Sequence, residues 1–501
     1  MSSLIELFLC GWRDFRRAFG HFLAYDLCLK VIGSAVVAPI AGWAAAALVS
    51  AGGRLSVSNA ELLSFWLSPA GLAALFVSAA IALALVFAEQ VGLIAMSART
   101  ITGGTVSAIE ALRITVRKLP SLLGLGALQA VFLGLALAPF AGIAGLAYAL
   151  LPLRHDINYY LAARPAVFWV GVGIIAMLLA GAALVFLLLY LRWIFSVPAM
   201  LFEGASPLSA LRRSRRLMRG QWRRVTGVLV PWALLALATP YVATEAFDLA
   251  AKTVLGRLGG SLDTVVAGVV VLMAAYVLVM ELVTLTGLSV NALLITRLYR
   301  LGGGELGELQ PEPSLVATGG LGRARRRRSR LAVFGMAVAI MLFAAILTLA
   351  AISRIEFGRP VGVTAHRGSS QRAPENTLSA IEAAIEDGAD YCEIDVQETA
   401  DGVVVLLHDE DLMRIAGVDR KIWDINFAEL RALDAGSWFA PEFAGERIPT
   451  LQEAIEVARG RIKLNIELKF NGHDEYLAER VVQILEQERF TDGALVSSLK
   501  L

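Results

Sequence analysis

The sequence predicts an all-α polytopic membrane domain followed by an α/β domain that lies in water. Hydrophobic residues make up 57% of the 501 residues, whereas ordinary soluble domains contain somewhat less than half. Most of this excess lies in long apolar runs before Arg359. After Arg359, charged residues become frequent, and short apolar strands alternate with helical stretches, which is typical of βαβ units.

Seven apolar runs are long enough to cross a bilayer, since a transmembrane helix needs roughly 20 mostly apolar residues. They lie near residues 28–50, 69–93, 120–150, 166–191, 225–247, 264–296 and 331–352. The first six form the predicted multi-pass membrane domain, residues 1–330. The seventh, residues 331–352, is the predicted last transmembrane helix.

Basic residues cluster in alternate connections between these runs. The clusters lie at Arg13 to Arg17, Arg99 to Lys118, Arg212 to Arg224 and Arg323 to Arg330, and the loops near 51–68, 151–165 and 248–262 carry few. The positive-inside rule places basic loops in the cytoplasm. We therefore predict a multi-pass protein of the cell membrane, with a cytoplasmic N-terminus and an extracytoplasmic C-terminal domain.

The lipid bilayer is the expected partner of the first domain, and nucleic acid is not, because the net charge is only +2 and basic residues lie in separate loops. Lys30 and Glu281 fall within the apolar runs, and Asp26 lies just before the first of them, where charges are costly. Glu281 must therefore pair, face a cavity or lie nearer the interface. These charges leave a second function open: a transporter or lipid-handling module whose C-terminal domain is an inactive, sensor-like appendage.

The predicted outer loop near 151–165 contains "RHDINYYL". Its polar residues His155, Asp156 and Asn158 could bind a polar group. The alternative is an aromatic belt at the membrane interface, built on Tyr159 and Tyr160. We favour the belt.

Polar side chains gather at the carboxyl ends of the strands predicted in the second domain, residues 359–501. Strands are predicted at about 361–366, 391–397, 403–407, 463–469 and 493–499, and helices at about 376–387, 451–459 and 474–489. The polar residues at or near the strand ends are His366, Glu393, Asp395, His408, Glu467 and Lys469. In a parallel α/β barrel that rim is where active sites form.

The spacing of the carboxylates along the strands supports this prediction. In "CEIDV" the two carboxylates are two residues apart, so a strand places both on one face. Three converging carboxylates, Glu393, Asp395 and Glu467, would repel one another unless a cation offset their charge. One hard divalent ion with oxygen ligands, Ca²⁺ or Mg²⁺, is the expected cofactor. Zinc is disfavoured because the ligands would be carboxylates rather than Cys and His.

The remaining polar residues fit acid and base chemistry on an anion. His366 and His408 on neighbouring strand tips can share the removal and the donation of a proton. Arg367 and Lys469 can offset the charge of an anionic substrate. A metal, two cationic side chains and a histidine pair together indicate cleavage of a phosphate ester.

These residues resemble the glycerophosphodiester phosphodiesterase family. The matching motifs are "AHRG", "PENT", "EIDVQETADGVVVLLHD", "GSWF", "IPTLQEAI" and "NIELK". The membrane half is similar to the multi-span domain that precedes some bacterial members. The resemblance implies a TIM-barrel-type (β/α)₈ domain, which hydrolyses glycerophosphodiesters to sn-glycerol 3-phosphate and an alcohol with a divalent cation. Glycerophosphodiesters and lysophospholipid-type molecules are the expected substrates.

The resemblance also implies a role for each matching residue. His366 and His408 would be the catalytic acid and base, Glu393, Asp395 and Glu467 the metal ligands, and Arg367 and Lys469 the phosphate-binding residues. Glu375 and Asn376 of "PENT" are candidates for substrate contact, although Asn376 could instead cap the following helix. Trp438 could wall the pocket or belong to a local core.

The length of the second domain departs from the family pattern. Val361 to Leu501 spans about 140 residues, whereas a (β/α)₈ barrel typically takes about 250. The barrel is therefore expected to be truncated after about five strands, with an unpaired edge. We expect a fragment of a longer product that is poorly active. Equal phosphodiesterase activity of this chain and of a version extended by the missing half would refute this.

Overall fold

A computed structural model describes residues 4–33, 64–257, 262–307, 362–474 and 476–499. The chain divides into two compact units. The first contains Met1–Pro139 and Gly181–Glu356, and the second contains Phe140–Ala180 and Phe357–Leu501. The second unit therefore combines the α/β domain with a segment that comes from the membrane half of the sequence.

The described part of the membrane half is helical throughout. Its helices are α1 (Leu4–Ile32), α2 (Pro69–Ile101), α3 (Ala108–Leu150), α4 (Ile157–Ala163), α5 (Ala166–Trp193), α6 (Ser196–Phe202), α7 (Pro207–Met218), α8 (Trp222–Leu255) and α9 (Leu262–Leu301). Five helical segments among the described residues are long and apolar enough to span a membrane. They are Pro69–Ile101, Ala108–Leu150, Ala166–Phe202, Trp222–Leu255 and Thr264–Leu301.

These five segments coincide with five of the seven predicted spans. The first predicted span, 28–50, lies only partly within the described residues, and the last, 331–352, lies outside them. The middles of the long helices expose large apolar side chains: Leu135 is 68% exposed and Leu179 is 66% exposed. Such a surface is stable only against lipid or another apolar partner.

The first unit has a core of its own, made where the helices pack. Phe22 and Tyr25 of α1, Ile94 of α2 and Leu293 of α9 are almost fully buried there. The Tyr25 hydroxyl donates to the carbonyl oxygen of Ala88 over 2.8 Å. The phenol therefore keeps a partner inside the apolar core, as a buried hydroxyl requires.

The charges within the apolar runs pair with one another. Lys30 Nζ lies 2.5 Å from Glu281 Oε1 and 3.0 Å from Asp26 Oδ2. Of the three options left open for Glu281, pairing is the one the structure shows. Each of these charges has an oppositely charged neighbour, which offsets the cost of placing it among apolar residues.

The α/β domain is built on a five-stranded sheet, as predicted. Its strands are β1 (Thr364–Ala365), β2 (Tyr391–Glu398), β3 (Val404–Leu406), β4 (Lys463–Leu468) and β5 (Ala494–Ser498). Four of them run parallel in the order β1-β2-β4-β5. The predicted combination of a helical membrane domain with a parallel-sheet α/β domain is confirmed.

The third strand corrects the expected parallel arrangement, because β3 pairs with β2 in the antiparallel direction. The connection between them is a tight turn in which Thr399 N donates to the carbonyl oxygen of Val403 over 3.0 Å. Gly402 in this turn has a φ of 77°, which favours glycine. Parallel pairing would need a crossover of a dozen or more residues. His408 therefore follows a strand that turns back along β2.

Helices pack against this sheet, some in the core under β2 and β4 and others in a separate core around Val405 of β3. They are α10 (Leu378–Glu386), α11 (Met413–Ala416), α12 (Phe427–Leu430), α13 (Leu451–Ala458) and α14 (Leu477–Gln487), with 3-10 turns at Ile422–Asp424, Pro441–Phe443 and Thr491–Gly493. Ile394, Val396, Ile466 and Leu468 belong to the buried core beneath the helices. The predicted alternation along β2 and β4 is thus confirmed, and it leaves the polar residues on the opposite face.

The Lys30 pairing generates a prediction about stability. Lys30→Met leaves Asp26, 1% exposed, beside Glu281 without a cation. We expect the midpoint of thermal unfolding in detergent to fall by about 3–10 °C, because removing one partner leaves an uncompensated charge. Lys252→Met is the matched control, since Lys252 pairs with Asp248 at the surface and such pairs contribute little. Equal shifts in the two variants would contradict the prediction.

Candidate active site

The polar face of the sheet carries a cluster of three carboxylates. Glu393 and Asp395 project from β2 and Glu467 from β4, and Asp395 is directly paired with Glu467 in the parallel register. One oxygen from each carboxylate lies within 4.8 Å of the other two. The predicted convergence of these three residues is confirmed.

Burial and mutual repulsion perturb this cluster. Burial, and next the charge of Asp395, raise the pKa of Glu393 to about 7. Lys469 Nζ offsets part of the negative charge, at 2.7 Å from Glu467 Oε1 and 3.0 Å from Asp395 Oδ1. Burial opposes the charge on Lys469, but the bond to Glu467 and the charge of Asp395 outweigh it and raise its pKa. Clustered carboxylate oxygens with excess negative charge fit a hard divalent cation.

The loop after β1 is attached to this cluster through backbone groups. His366, which is exposed, immediately follows β1. The backbone N–H of Arg367 donates to Glu393 Oε2 over 2.6 Å, and that of Gly368 donates to the carbonyl oxygen of Glu393 over 3.0 Å. Gly368 has a φ of 77° and packs against Ala380 so closely that a Cβ would lie 2.5 Å from the alanine side chain. The turn therefore needs glycine there, and it places Arg367, the residue after His366, against Glu393.

Asn376 does not cap the following helix, so that interpretation is wrong. The N-cap of α10 is Thr377, whose hydroxyl accepts from Ala380 N. Asn376 is 4% exposed, and its side chain donates to Asp395 Oδ2 over 2.8 Å and accepts from Asp395 N over 3.0 Å. Both ends of the amide are thus engaged with Asp395, which they orient. Threonine is preferred at the cap because Asn376 has left-handed backbone, φ 57°.

Glu375, the other candidate in "PENT", lies between two guanidinium groups. Its Oε1 accepts from Arg367 Nη1 over 2.9 Å and from Arg414 Nη2 over 2.7 Å. Arg367 Nε also lies 3.5 Å from Asp395 Oδ2. The guanidinium predicted to bind phosphate is therefore held at the edge of the acidic cluster by carboxylates on two sides.

His408 is oriented by its neighbour in the chain. His408 Nδ1 lies 2.9 Å from Asp409 Oδ1, and Asp409 Oδ2 accepts from Arg414 Nε over 2.6 Å. Burial acts to raise the pKa of Asp409, but hydrogen bonds with His408 and Arg414 outweigh it and lower that pKa to about 2. Asp409 is therefore an anion that can only accept. We infer that His408 Nδ1 carries the shared proton, which leaves Nε2 as the nitrogen available for chemistry.

Three residues of this arrangement were not predicted: Gln397, Asp409 and Arg414. The buried Gln397 side chain donates to the carbonyl oxygens of Leu407 and Asp409, each over 2.9 Å, and so fixes the segment that carries His408. The sequence could have indicated Gln397, because the two-residue period of β2 places it on the same face as Glu393 and Asp395. Asp409 follows a predicted histidine directly, but no local pattern identifies Arg414.

Trp438 lies beside this network. Its indole ring is 5.2 Å from the guanidinium carbon of Arg414, and its Nε1 donates to the carbonyl oxygen of Ala435 over 2.8 Å. The side chain is still 38% exposed. Trp438 therefore packs against the arginine that holds Asp409 and also presents a free surface, so its substrate contact remains a prediction.

Comparison with known proteins identifies both parts of the chain. Residues 366–492 match the model of the glycerophosphoryl diester phosphodiesterase family. Residues 10–349 match the model of the membrane domain of glycerophosphoryl diester phosphodiesterase.

Individual relatives match a smaller part of the chain. A glycerophosphodiester phosphodiesterase of Caldanaerobacter subterraneus is 40% identical over 139 residues, which cover 27% of this chain and 57% of that protein. Glycerophosphodiester phosphodiesterase 1 of Mus musculus is 41% identical over 116 residues, 23% of this chain and 34% of that protein. A crystallised Oleispira antarctica phosphodiesterase, in complex with the product sn-glycerol-3-phosphate, is 43% identical, with a TM-score of 0.27 over 28% of this chain and 58% of its own.

The chain thus spans little more than half the length of the bacterial relatives it matches, 57% for the Caldanaerobacter protein. The two family models, in contrast, together account for most of the sequence, from residue 10 to residue 349 and from residue 366 to residue 492. The chain belongs to the glycerophosphoryl diester phosphodiesterase family, in the form that carries the membrane domain of that family before the α/β domain.

Proposed function

We propose that this protein hydrolyses glycerophosphodiesters to sn-glycerol 3-phosphate and an alcohol. The observation that carries the proposal is the convergence of Glu393, Asp395 and Glu467 on one face of the sheet. The segments that carry the two histidines are both bonded to β2. Arg367 N, next to His366, donates to Glu393 Oε2, and Leu407 N, next to His408, donates to the carbonyl oxygen of Asp395 over 3.0 Å. The names of the curated relatives support the same activity.

One divalent cation, Ca²⁺ or Mg²⁺, would be held by the three carboxylates. Once bound, it would polarise the phosphoryl oxygens of the substrate as a Lewis acid. Asn376 keeps Asp395 in a fixed orientation from one side, and Lys469 lies on the other. The chain therefore supplies a pre-organised set of oxygen ligands, and carboxylates without Cys or His are the donor set that hard cations prefer.

His366 and His408 would act as the acid and base pair. One imidazole removes a proton from the attacking water while the water oxygen bonds to phosphorus. The other donates a proton to the alcohol oxygen as its bond to phosphorus breaks. For His408, the hydrogen bond between Nδ1 and Asp409 leaves Nε2 as the nitrogen available for the reaction.

Arg367 and Lys469 would bind the phosphodiester anion. In the structure both cations lie against carboxylates, Arg367 against Glu375 and Lys469 against Glu467. Each still has N–H donors beyond those two bonds, because a guanidinium has five and an ammonium three. They can therefore meet the phosphate while the carboxylates hold them in place.

The substrate class follows from the family and from the membrane. A glycerophosphodiester headgroup, free or in a lysophospholipid-type molecule, carries the single phosphodiester that this cluster suits. The bilayer is the expected partner of the helical domain, since its long helices expose apolar side chains. We prefer this function to the transporter alternative because the acidic cluster supports it, whereas the paired charges of Asp26, Lys30 and Glu281 indicate no substrate path by themselves.

We further propose that the α/β domain lies outside the cytoplasm and that the N-terminus lies inside. The poorly basic loop near 151–165 supports this orientation, because the positive-inside rule places such a loop outside. That loop belongs to the same compact unit as the α/β domain. The loop also contacts the α/β domain directly, since Asp156 N donates to Asp411 Oδ2 over 2.8 Å, so the two lie on the same side of the membrane.

Loss of either histidine should abolish most of the hydrolysis. We expect His366→Ala and His408→Ala each to lower kcat for glycerophosphocholine by about 10²- to 10⁴-fold, which is the usual contribution of a general acid or base. His21→Ala is the matched control, since His21 lies on α1 outside the α/β domain. The acid and base assignment fails if either active-site variant retains wild-type kcat.

The acidic cluster should bind a divalent cation. We expect calorimetry to detect one Ca²⁺ or Mg²⁺ per chain, and Asp395→Asn to weaken its binding at least tenfold because a buried ligand oxygen loses its charge. Chelator should abolish hydrolysis, and added Ca²⁺ or Mg²⁺ should restore it. Hydrolysis that is indifferent to chelator would refute metal dependence.

Thiol labelling tests the orientation. In a chain with Cys10 and Cys28 replaced by serine, the remaining Cys392 is buried. A cysteine at the exposed position Glu442 should react with an impermeant maleimide in intact cells. A cysteine at the exposed position Arg212, on α7, should react only after the membrane is permeabilised. The reverse pattern would overturn the proposed orientation.

A further inference from the structure

The loop that joins α3 to α5, residues 151–165, contacts the segment that carries His408. We call it the interhelical loop. Asn158 Nδ2 donates to Asp409 Oδ1 over 3.0 Å and lies 3.4 Å from His408 Nδ1. The backbone N–H of Asp156 donates to Asp411 Oδ2 over 2.8 Å. A segment from the membrane half of the sequence therefore reaches the residue that orients a candidate catalytic histidine.

The amide of Asn158 is fixed within its own loop. Asp156 Oδ1 accepts from Asn158 N over 2.9 Å and from Asn158 Nδ2 over 2.8 Å. An amide nitrogen has two hydrogens. One is directed at Asp156 and the other at Asp409, so Asn158 has no donor left for His408. Asn158 Nδ2 and His408 Nδ1 are therefore 3.4 Å apart because both donate to the same acceptor, Asp409 Oδ1.

Asn158 helps to fix the orientation of the Asp409 carboxylate. Oδ1 of Asp409 accepts from His408 Nδ1 and from Asn158 Nδ2, and Oδ2 accepts from Arg414 Nε. Arg414 fixes one oxygen of the fully buried carboxylate, and Asn158 fixes the other. With Asn158 in place, the carboxylate cannot rotate without losing a hydrogen bond. The direction of the His408 imidazole is therefore set in part by the interhelical loop.

His155 provides a second contact between the loop and the α/β domain. His155 Nδ1 lies 3.7 Å from both Asp411 Oδ2 and Asp419 Oδ1. Tyr160 is 4% exposed, and its hydroxyl accepts from the backbone N–H of Arg154 over 3.0 Å. This hydrogen bond joins two parts of the loop to each other. The aromatic-belt interpretation that the sequence favoured does not describe this tyrosine, whose ring and hydroxyl are used inside the protein.

We propose that the membrane domain completes the catalytic site through this loop, with Asn158 as a positioning residue that holds Asp409 and thereby His408. The proposal rests on the proposed phosphodiesterase function. It assigns to the membrane half a task in the reaction besides anchoring. It also explains why the polar residues "HDIN" lie in the connection between two apolar helices.

The first test is kinetic and uses the full chain in membranes with glycerophosphocholine. Asn158→Ala should lower kcat about tenfold or more and change KM less than twofold, because the loss falls on the orientation of an acid or base rather than on substrate binding. Asn158→Asp, which sets a second carboxylate against Asp409, should be at least as severe. Ile157→Ala, at a neighbouring residue that is 65% exposed, is the matched control and should keep wild-type kcat.

A double-mutant cycle separates positioning from a general structural effect. If Asn158 acts through His408, Asn158→Ala should cause no further loss in a chain that already carries His408→Ala. Losses that multiply would overturn the proposal. A wild-type kcat in Asn158→Ala, in a preparation whose wild type is active, would also overturn it while leaving the proposed phosphodiesterase function intact.

A crosslink tests the contact without reference to activity. In the chain with Cys10 and Cys28 replaced by serine, the pair His155→Cys and Asp419→Cys should be joined by a short bismaleimide, and either single variant should not. Absence of the crosslink would overturn the proposal whatever the activity. A crosslink in a protein that hydrolyses no glycerophosphodiester would support the contact and refute the proposed function alone.

Discussion

The site depends on one constraint: three carboxylates, Glu393, Asp395 and Glu467, share the polar face of two neighbouring parallel strands. The register that pairs Asp395 with Glu467 brings their side chains together, and the apolar residues between them form the core on the other face. Burial of Glu393, and next the like charge of Asp395, disfavour its ionised form and raise its pKa to about 7. The three carboxylates thus repel one another at the position where a bound cation would offset their negative charge.

Around that cluster the chain places alternating charges. Arg367 contacts Glu375, Glu375 contacts Arg414, and Arg414 contacts Asp409, which orients His408. Each carboxylate in this series has a guanidinium or an imidazole as its neighbour. A series of ion pairs with fixed geometry allows buried charges to be tolerated and also determines the direction of the terminal imidazole. The two ends of the series are the arginine proposed to bind phosphate and a proposed acid or base.

The relation between the two halves of the sequence is closer than their compositions suggest. The α/β domain forms a compact unit with Phe140–Ala180, which comes from the membrane half. Asn158 reaches Asp409 across 251 residues of sequence. A membrane domain that only tethered an enzyme would need no polar residues directed at the histidine-bearing segment. The hydrogen bonds of the interhelical loop with Asp409 and Asp411 explain why this loop contains polar residues.

Sequence alone determined the two domains, five of the spans, all five strands and the faces of β2 and β4, because hydrophobic run length and two-residue periodicity are local properties. It also identified the three converging carboxylates, Glu393, Asp395 and Glu467, whose spacing within "CEIDV" and "NIELK" fixes the face on which they lie. Only the tertiary structure decided the reversal of β3, the roles of Asn376 and Arg414, the pairing of Glu281 with Lys30, and the contact of Asn158 with Asp409. Each of these depends on which distant segments meet, and a hydrogen bond between residues far apart in the chain leaves no periodic trace in the sequence.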